Sequence, residues 1–122
     1  MLRNSGFRFG FLAWSTLVTI LSLQPPSGGI SLAHGFDKIV HTVFYVPFSL
    51  LALYHPRRGF RPALLLFLFA ANFGFLMELL QKKIPGRSFE WADLVADLAG
   101  AALGLLIFGL GMTIQRRGEC RE

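Results

Sequence analysis

The chain has 122 residues, more than half of them hydrophobic, with only 16% charged and thirteen phenylalanines. A soluble domain of this length has too little interior to hide so much apolar surface, so composition excludes one and indicates an integral membrane protein. The net charge of +5 does not indicate a nucleic-acid partner. The basic residues sit in short clusters between apolar runs, the arrangement by which membrane proteins set their orientation.

A helix crossing the hydrocarbon core needs about 20 residues, with a range of about 17 to 25. Taken in chain order, the first such segment runs from about 7 to 23. Arg3 and Arg8 precede its apolar stretch, a pattern shared with signal peptides. The cleavage-like triplet Ser31-Leu32-Ala33 lies well beyond that stretch and past two prolines, so an uncleaved first helix is expected. A second span is expected over about 37 to 54, a third over 62 to 80 and a fourth over 91 to 114. Gly- and Pro-containing punctuation separates them: QPPSGG, HPRRGFRP and IPG. The fold class is therefore all-α, an integral membrane four-helix bundle with short loops, and residues 1–122 form a single domain. Cys120 is the one cysteine, which excludes an internal disulfide, and it is read as an ordinary thiol.

Charge gives the direction. With the N-terminus inside, Arg3, Arg8, Arg57, Arg58, Arg61, Arg116, Arg117 and Arg121 fall on the inner side, and Lys38, Lys82, Lys83 and Arg87 on the outer. The split of eight to four places both termini in the cytoplasm. The outer loop at 81–90 departs from this tendency by being as basic as an inner one, so its charges answer to nearby acids or to a ligand.

The spans also carry polar residues at one depth. Asp37, His41 and Tyr45 are spaced by four along the second helix and share a stripe. Glu78 and Gln81 share a face of the third helix, and Asp93 and Asp97 a face of the fourth. Antiparallel neighbours bring these ends together with Lys38 and Arg87, because ionisable groups avoid lipid. Ala96, Gly100 and Gly104 form a strip of small residues on the fourth helix that lets a second helix come close. For any one residue, plain helix-to-helix pairing accounts for the polarity. For the whole layer it is an expensive glue, since buried ion pairs add little net stability over apolar packing. Ser88 and Glu90 are expected to be solvated loop residues, and the spacing matches no metal signature.

DKIVH at 37–41 with Tyr45, followed by ELLQKKIPGRSFEWADLVADLAGAALG at 78–104, resembles the VanZ-like membrane proteins. That family's pattern is D-K-x-x-H-x-x-x-Y, then E-x-x-Q, P-x-R and D-x-x-x-N-x-x-G-x-x-x-G. Asp97 stands where the family often has Asn, adding an acid to the layer. The family is named for a protein associated with resistance to the glycopeptide teicoplanin. The resemblance implies a fold and a site and assigns no reaction or resistance to this chain.

Three functions follow as expectations. The first is binding of an anionic lipid or a lipid-linked envelope precursor at the polar layer, with Lys38 and Arg87 on a phosphate and Lys82 and Lys83 at the entrance. His41 would be a general acid or base there; no nucleophile motif is present, and catalysis is left open. The second is a proton- or cation-linked membrane protein using Glu78, Asp93, Asp97 and His41. The third is a scaffold or accessory subunit for envelope enzymes that uses the small-residue strip. Expected partners are membrane lipids, a precursor, and a second copy or an envelope enzyme, with no cofactor, no metal and no nucleic acid. The expected location is the cell membrane, as a multi-pass protein of the bacterial inner membrane.

Overall fold

A computed structural model describes residues 2–25, 34–55, 57 and 59–119. Among them there are four α-helices and no strand: α1 Leu2–Ser22, α2 His34–Leu50, α3 Phe60–Gln81 and α4 Trp91–Glu119. Ser31-Leu32-Ala33 and Cys120 lie outside the described residues. The helices overrun the apolar spans read from sequence at several ends, because hydropathy marks the greasy stretch and backbone hydrogen bonding continues beyond it. The second span differs in kind. Its α-helix stops at Leu50 and a 3-10 turn, Leu51–Tyr54, completes it. Pro47 removes one backbone donor in the last turn of α2, which weakens the helix where it gives way to the tighter turn.

Two helices, α3 and α4, are long and apolar enough to cross a membrane, with mean hydropathies of 2.1 and 2.0. Each buries only 33% of its most apolar 18-residue stretch, so most of that surface faces outward. Leu65, Leu68, Phe75, Leu76, Leu106, Leu110 and Ile114 are all exposed. Apolar surface on this scale suits lipid contact and not water.

Paired contacts give the directions. Lys38 meets Asp93, and Gly100 and Gly104 meet Thr42 and Val46, so α2 and α4 run parallel. Phe11 meets Phe69 and Ser22 meets Gln81, so α1 and α3 run parallel to each other and opposite to the other pair. The core is aromatic: Phe11, Tyr45, Phe48, Phe69 and Phe73 interlock, mostly tilted, with centroids 4.8–6.5 Å apart. The Trp14 indole donates to the Phe44 carbonyl at 2.9 Å and ties α1 to α2.

The tightest contact is between α2 and α4. A Cβ at Gly100 would lie 2.0 Å from the Thr42 carbonyl oxygen, and one at Gly104 would lie 2.3 Å from that of Val46. Backbone meets backbone there because neither glycine has a side chain. Ser49 adds a hydrogen bond across the seam, donating to the Ala101 carbonyl at 2.7 Å. The helix that meets the Ala96–Gly100–Gly104 strip is thus α2 of the same chain.

Replacing Gly100 by Leu is expected to destabilise the fold by about 3 kcal/mol or more, since helix backbone cannot yield as a flexible side chain does. Gly109, on the same helix, has open space at its Cβ position. Gly109→Ala should be neutral or stabilising by roughly 0.5–1 kcal/mol. Thermal unfolding of the two variants in detergent, monitored by circular dichroism, checks the contrast.

Candidate functional site

The start of α2, the end of α3 and the start of α4 meet at one end of the bundle. The loop between α3 and α4 closes it. In that loop the Arg87 amide donates to the Ile84 carbonyl at 3.1 Å, across Pro85 and Gly86. Gly86 has φ 83°, and proline followed by a positive-φ glycine is the pattern of a type II turn. The turn folds the chain back so that Arg87 faces the helix ends.

Lys38 is the hub of the outer half of the cluster. Its Nζ donates to Glu90 Oε2 at 2.8 Å and contacts Asp93 Oδ1, while Asp37 Oδ2 lies 3.8 Å away. Asp93 is buried in the first turn of α4, where a carboxylate also meets the positive end of the helix dipole. Glu90 corrects the expectation of a purely solvated residue. Its side chain is half-exposed but ion-paired, and its backbone N–H donates to Glu78 Oε2 at 3.1 Å. Its position immediately before α4 is the signal that would have found it, since a residue there has an amide free of the helix ladder. Ser88 is exposed.

His41 joins the two halves. Its Nδ1 is hydrogen-bonded to Asp97 Oδ1 at 2.8 Å, and with Asp97 ionised it is Nδ1–H that donates. On the other edge of the ring, Nε2 faces Asp93 Oδ2 at 3.8 Å. Asp97 and Glu78 are fully buried, at 1% and 0% exposure. Among the described residues no lysine or arginine nitrogen lies within 4.0 Å of either carboxylate. Glu78 Oε1 and the Tyr45 hydroxyl are buried without a hydrogen-bond partner.

Gly74 makes room for Asp97. A Cβ there would lie 2.9 Å from Asp97 Oδ2 and 3.3 Å from Tyr45 Cε1. The sequence does not single out this glycine, which sits between Phe73 and Phe75 inside an apolar run. An isolated glycine in a helix interior, costly by propensity, is the available signal.

The remaining residues line a crevice of about 70 Å³ beside the cluster. Asp37, His41, Tyr45, Gln81 and Arg87 form its walls together with Ser22. Gln81 is turned from the acids, its amide donating to the Ser22 carbonyl at 2.8 Å. Arg87 is half-buried, and its Nε has no hydrogen-bond partner. All nine polar residues singled out in the sequence therefore lie at one end of the bundle. The acids and His41 interlock, Lys38 is neutralised by acids, and Arg87 and Gln81 stand at the crevice.

Helices alone among the described residues, two of them long and apolar enough to cross a membrane, with a polar cluster at one end of the bundle, fit a small helical membrane protein. The VanZ/LLP1 family pattern matches residues 4–112, and the chain belongs to that family. Comparison with curated proteins and with solved structures finds no match.

Gly74→Ala should push the Asp97 carboxylate aside and destabilise the protein by about 1–3 kcal/mol. Combined with Asp97→Ala, it should cost less than the sum of the two single changes by at least about 0.5 kcal/mol. A double-mutant cycle on thermal stability reads the coupling, and strict additivity would contradict the contact.

Proposed function

We propose that the chain is a multi-pass protein of the bacterial cell membrane that binds an anionic lipid or lipid-linked envelope precursor at this crevice. The observation that carries the reading is Arg87: a half-buried guanidinium at the wall of a crevice, with its Nε unpartnered. A phosphate oxygen would satisfy that donor, and guanidinium geometry suits phosphate well. Lys82 and Lys83 are exposed on the same loop and would attract the anion first. Lys38 takes a different part from the one expected of it. Its contacts with Glu90 and Asp93 leave it holding the acids in place, so Arg87 would bind the headgroup. His41, on the same crevice wall, is the group positioned for proton transfer to a bound ligand.

Four membrane spans with both termini in the cytoplasm fit this reading. α1 has 21 residues, and α2 together with its 3-10 turn spans the same number, each roughly 30 Å long. That matches the thickness of a bilayer core. The basic residues Arg116 and Arg117 in the last turn of α4 would then sit on the inner side.

A proton- or cation-linked role is the second reading. It is favoured by Glu78 and Asp97, two buried carboxylates with no lysine or arginine beside them among the described residues. The scaffold reading has no such observation, because its small-residue strip is already covered by α2.

Arg87→Ala is expected to weaken binding of phosphatidylglycerol or a polyprenyl phosphate roughly tenfold or more, the loss of one charge-assisted hydrogen bond. Native mass spectrometry with phosphatidylcholine as the neutral control measures it. Equal retention of the anionic and neutral lipids by the wild type would reject the lipid reading. For topology, a cysteine at Ser88, in a Cys120→Ser background, should react with an impermeant maleimide on intact cells. One at Arg117 should react only after permeabilisation.

A further inference from the structure

We infer that His41, Glu78 and Asp97 form a binding site for one divalent transition-metal cation of the zinc or manganese type. The inference deepens the cation-linked reading, naming the ion and its ligands, and it does not depend on lipid binding at Arg87.

The three residues come from three helices, α2, α3 and α4, and each offers a ligand atom within 4.8 Å of the other two. One imidazole and two carboxylates suit zinc, a borderline cation that takes nitrogen and oxygen together, or manganese, a harder cation held mainly by the carboxylates. Proximity of acids alone would not make a site. The second observation is Glu78 itself. The residue has 0% exposure, its Oε2 is held by the Glu90 amide, and its Oε1 is buried with no partner at all. A carboxylate oxygen in that position is oriented and unsatisfied, at a cost that a bound cation would remove. The Tyr45 hydroxyl is unsatisfied as well, and its ring lies beside Asp97 at the Gly74 gap.

A second group of potential ligands, Asp37, His41 and Asp93, lies on the other edge of the imidazole. Lys38 already neutralises that group by contacting Asp93 and Asp37. The inner three have no such cation, which is why the metal is assigned there. A proton lies between His41 Nδ1 and Asp97 Oδ1, which are 2.8 Å apart. A metal would take the place of that proton. Asp93 Oδ2, 3.8 Å from Nε2, is then placed to accept the N–H on the far edge of the ring. A carboxylate behind a metal-bound histidine fixes its orientation and strengthens it as a ligand. Lys38 in turn holds Asp93.

The test uses the full-length, tag-free protein in detergent, stripped with EDTA and dialysed against Zn²⁺ or Mn²⁺. Metal content is read by inductively coupled plasma mass spectrometry, and affinity by calorimetry. One metal per chain is expected, with affinity reduced tenfold or more in Glu78→Gln and in Asp97→Asn and little changed in Asp37→Asn. Circular dichroism identifies any variant that fails to fold. Glu78→Gln and Asp97→Asn each test the site alone, and the wild-type stoichiometry requires neither. Failure of both metals to reach one per chain on the wild type would overturn the assignment. So would metal binding lost in Asp37→Asn but kept in folded Glu78→Gln. Binding at equilibrium requires no transport, so absence of proton or cation flux in vesicles would remove the transport role and leave the site standing.

Discussion

The close approach of α2 and α4 at Gly100 and Gly104 is the constraint on which the rest of the molecule depends. Any side chain at these positions would collide with a carbonyl of the facing helix. Because the helices run parallel and touch backbone to backbone, their N-terminal ends are in register. Lys38 is thereby brought to Asp93, and His41 to Asp97, without a long loop to carry either. Where apolar side chains have little to gain by leaving lipid for one another, close packing of small residues supplies much of the helix association. Gly74 repeats the device on α3, with a carboxylate as the group accommodated.

The electrostatics follow from that geometry. Five acids gather at one end: Asp37, Glu78, Glu90, Asp93 and Asp97. Lys38 contacts Asp37, Glu90 and Asp93, and His41 contacts Asp93 and Asp97. Lys38 meets three of the acids at once and acts as their counter-ion. The two most deeply buried, Glu78 and Asp97, are left to His41 and a backbone amide. A group in a low-dielectric interior that lacks full compensation costs more than the same group in water. Buried acids left in this way add little to helix-to-helix cohesion compared with apolar packing. Arg87, on its Pro-Gly turn at the crevice, is the complementary case of a cationic group with an unsatisfied donor.

The VanZ/LLP1 match covers nearly all of the helical bundle, so the cluster lies within the family's domain. Asp97, where the resembled pattern often has an asparagine, would be the ligand that completes the proposed inner group of three. An amide at that position would still accept a hydrogen bond but would bring no charge.

Four helices and the residues of the polar end were legible in the sequence. Apolar runs of membrane length leave only one regular structure that satisfies every backbone group in lipid, and spacing of three or four puts Asp37 with His41 and Asp93 with Asp97 on single faces. Who pairs with whom was not legible. Lys38 and Arg87 look alike in the sequence as cations beside acids, yet Lys38 is held by acids and, among the described residues, Arg87 is not. Glu90 looks like a loop residue and is ion-paired, and Gly74 looks like a gap in an apolar run and shapes the space for Asp97. Periodicity along one chain segment specifies a face. Partners across helices depend on how closely backbones approach and how side chains interlock, and those distances exist only once α2, α3 and α4 have packed.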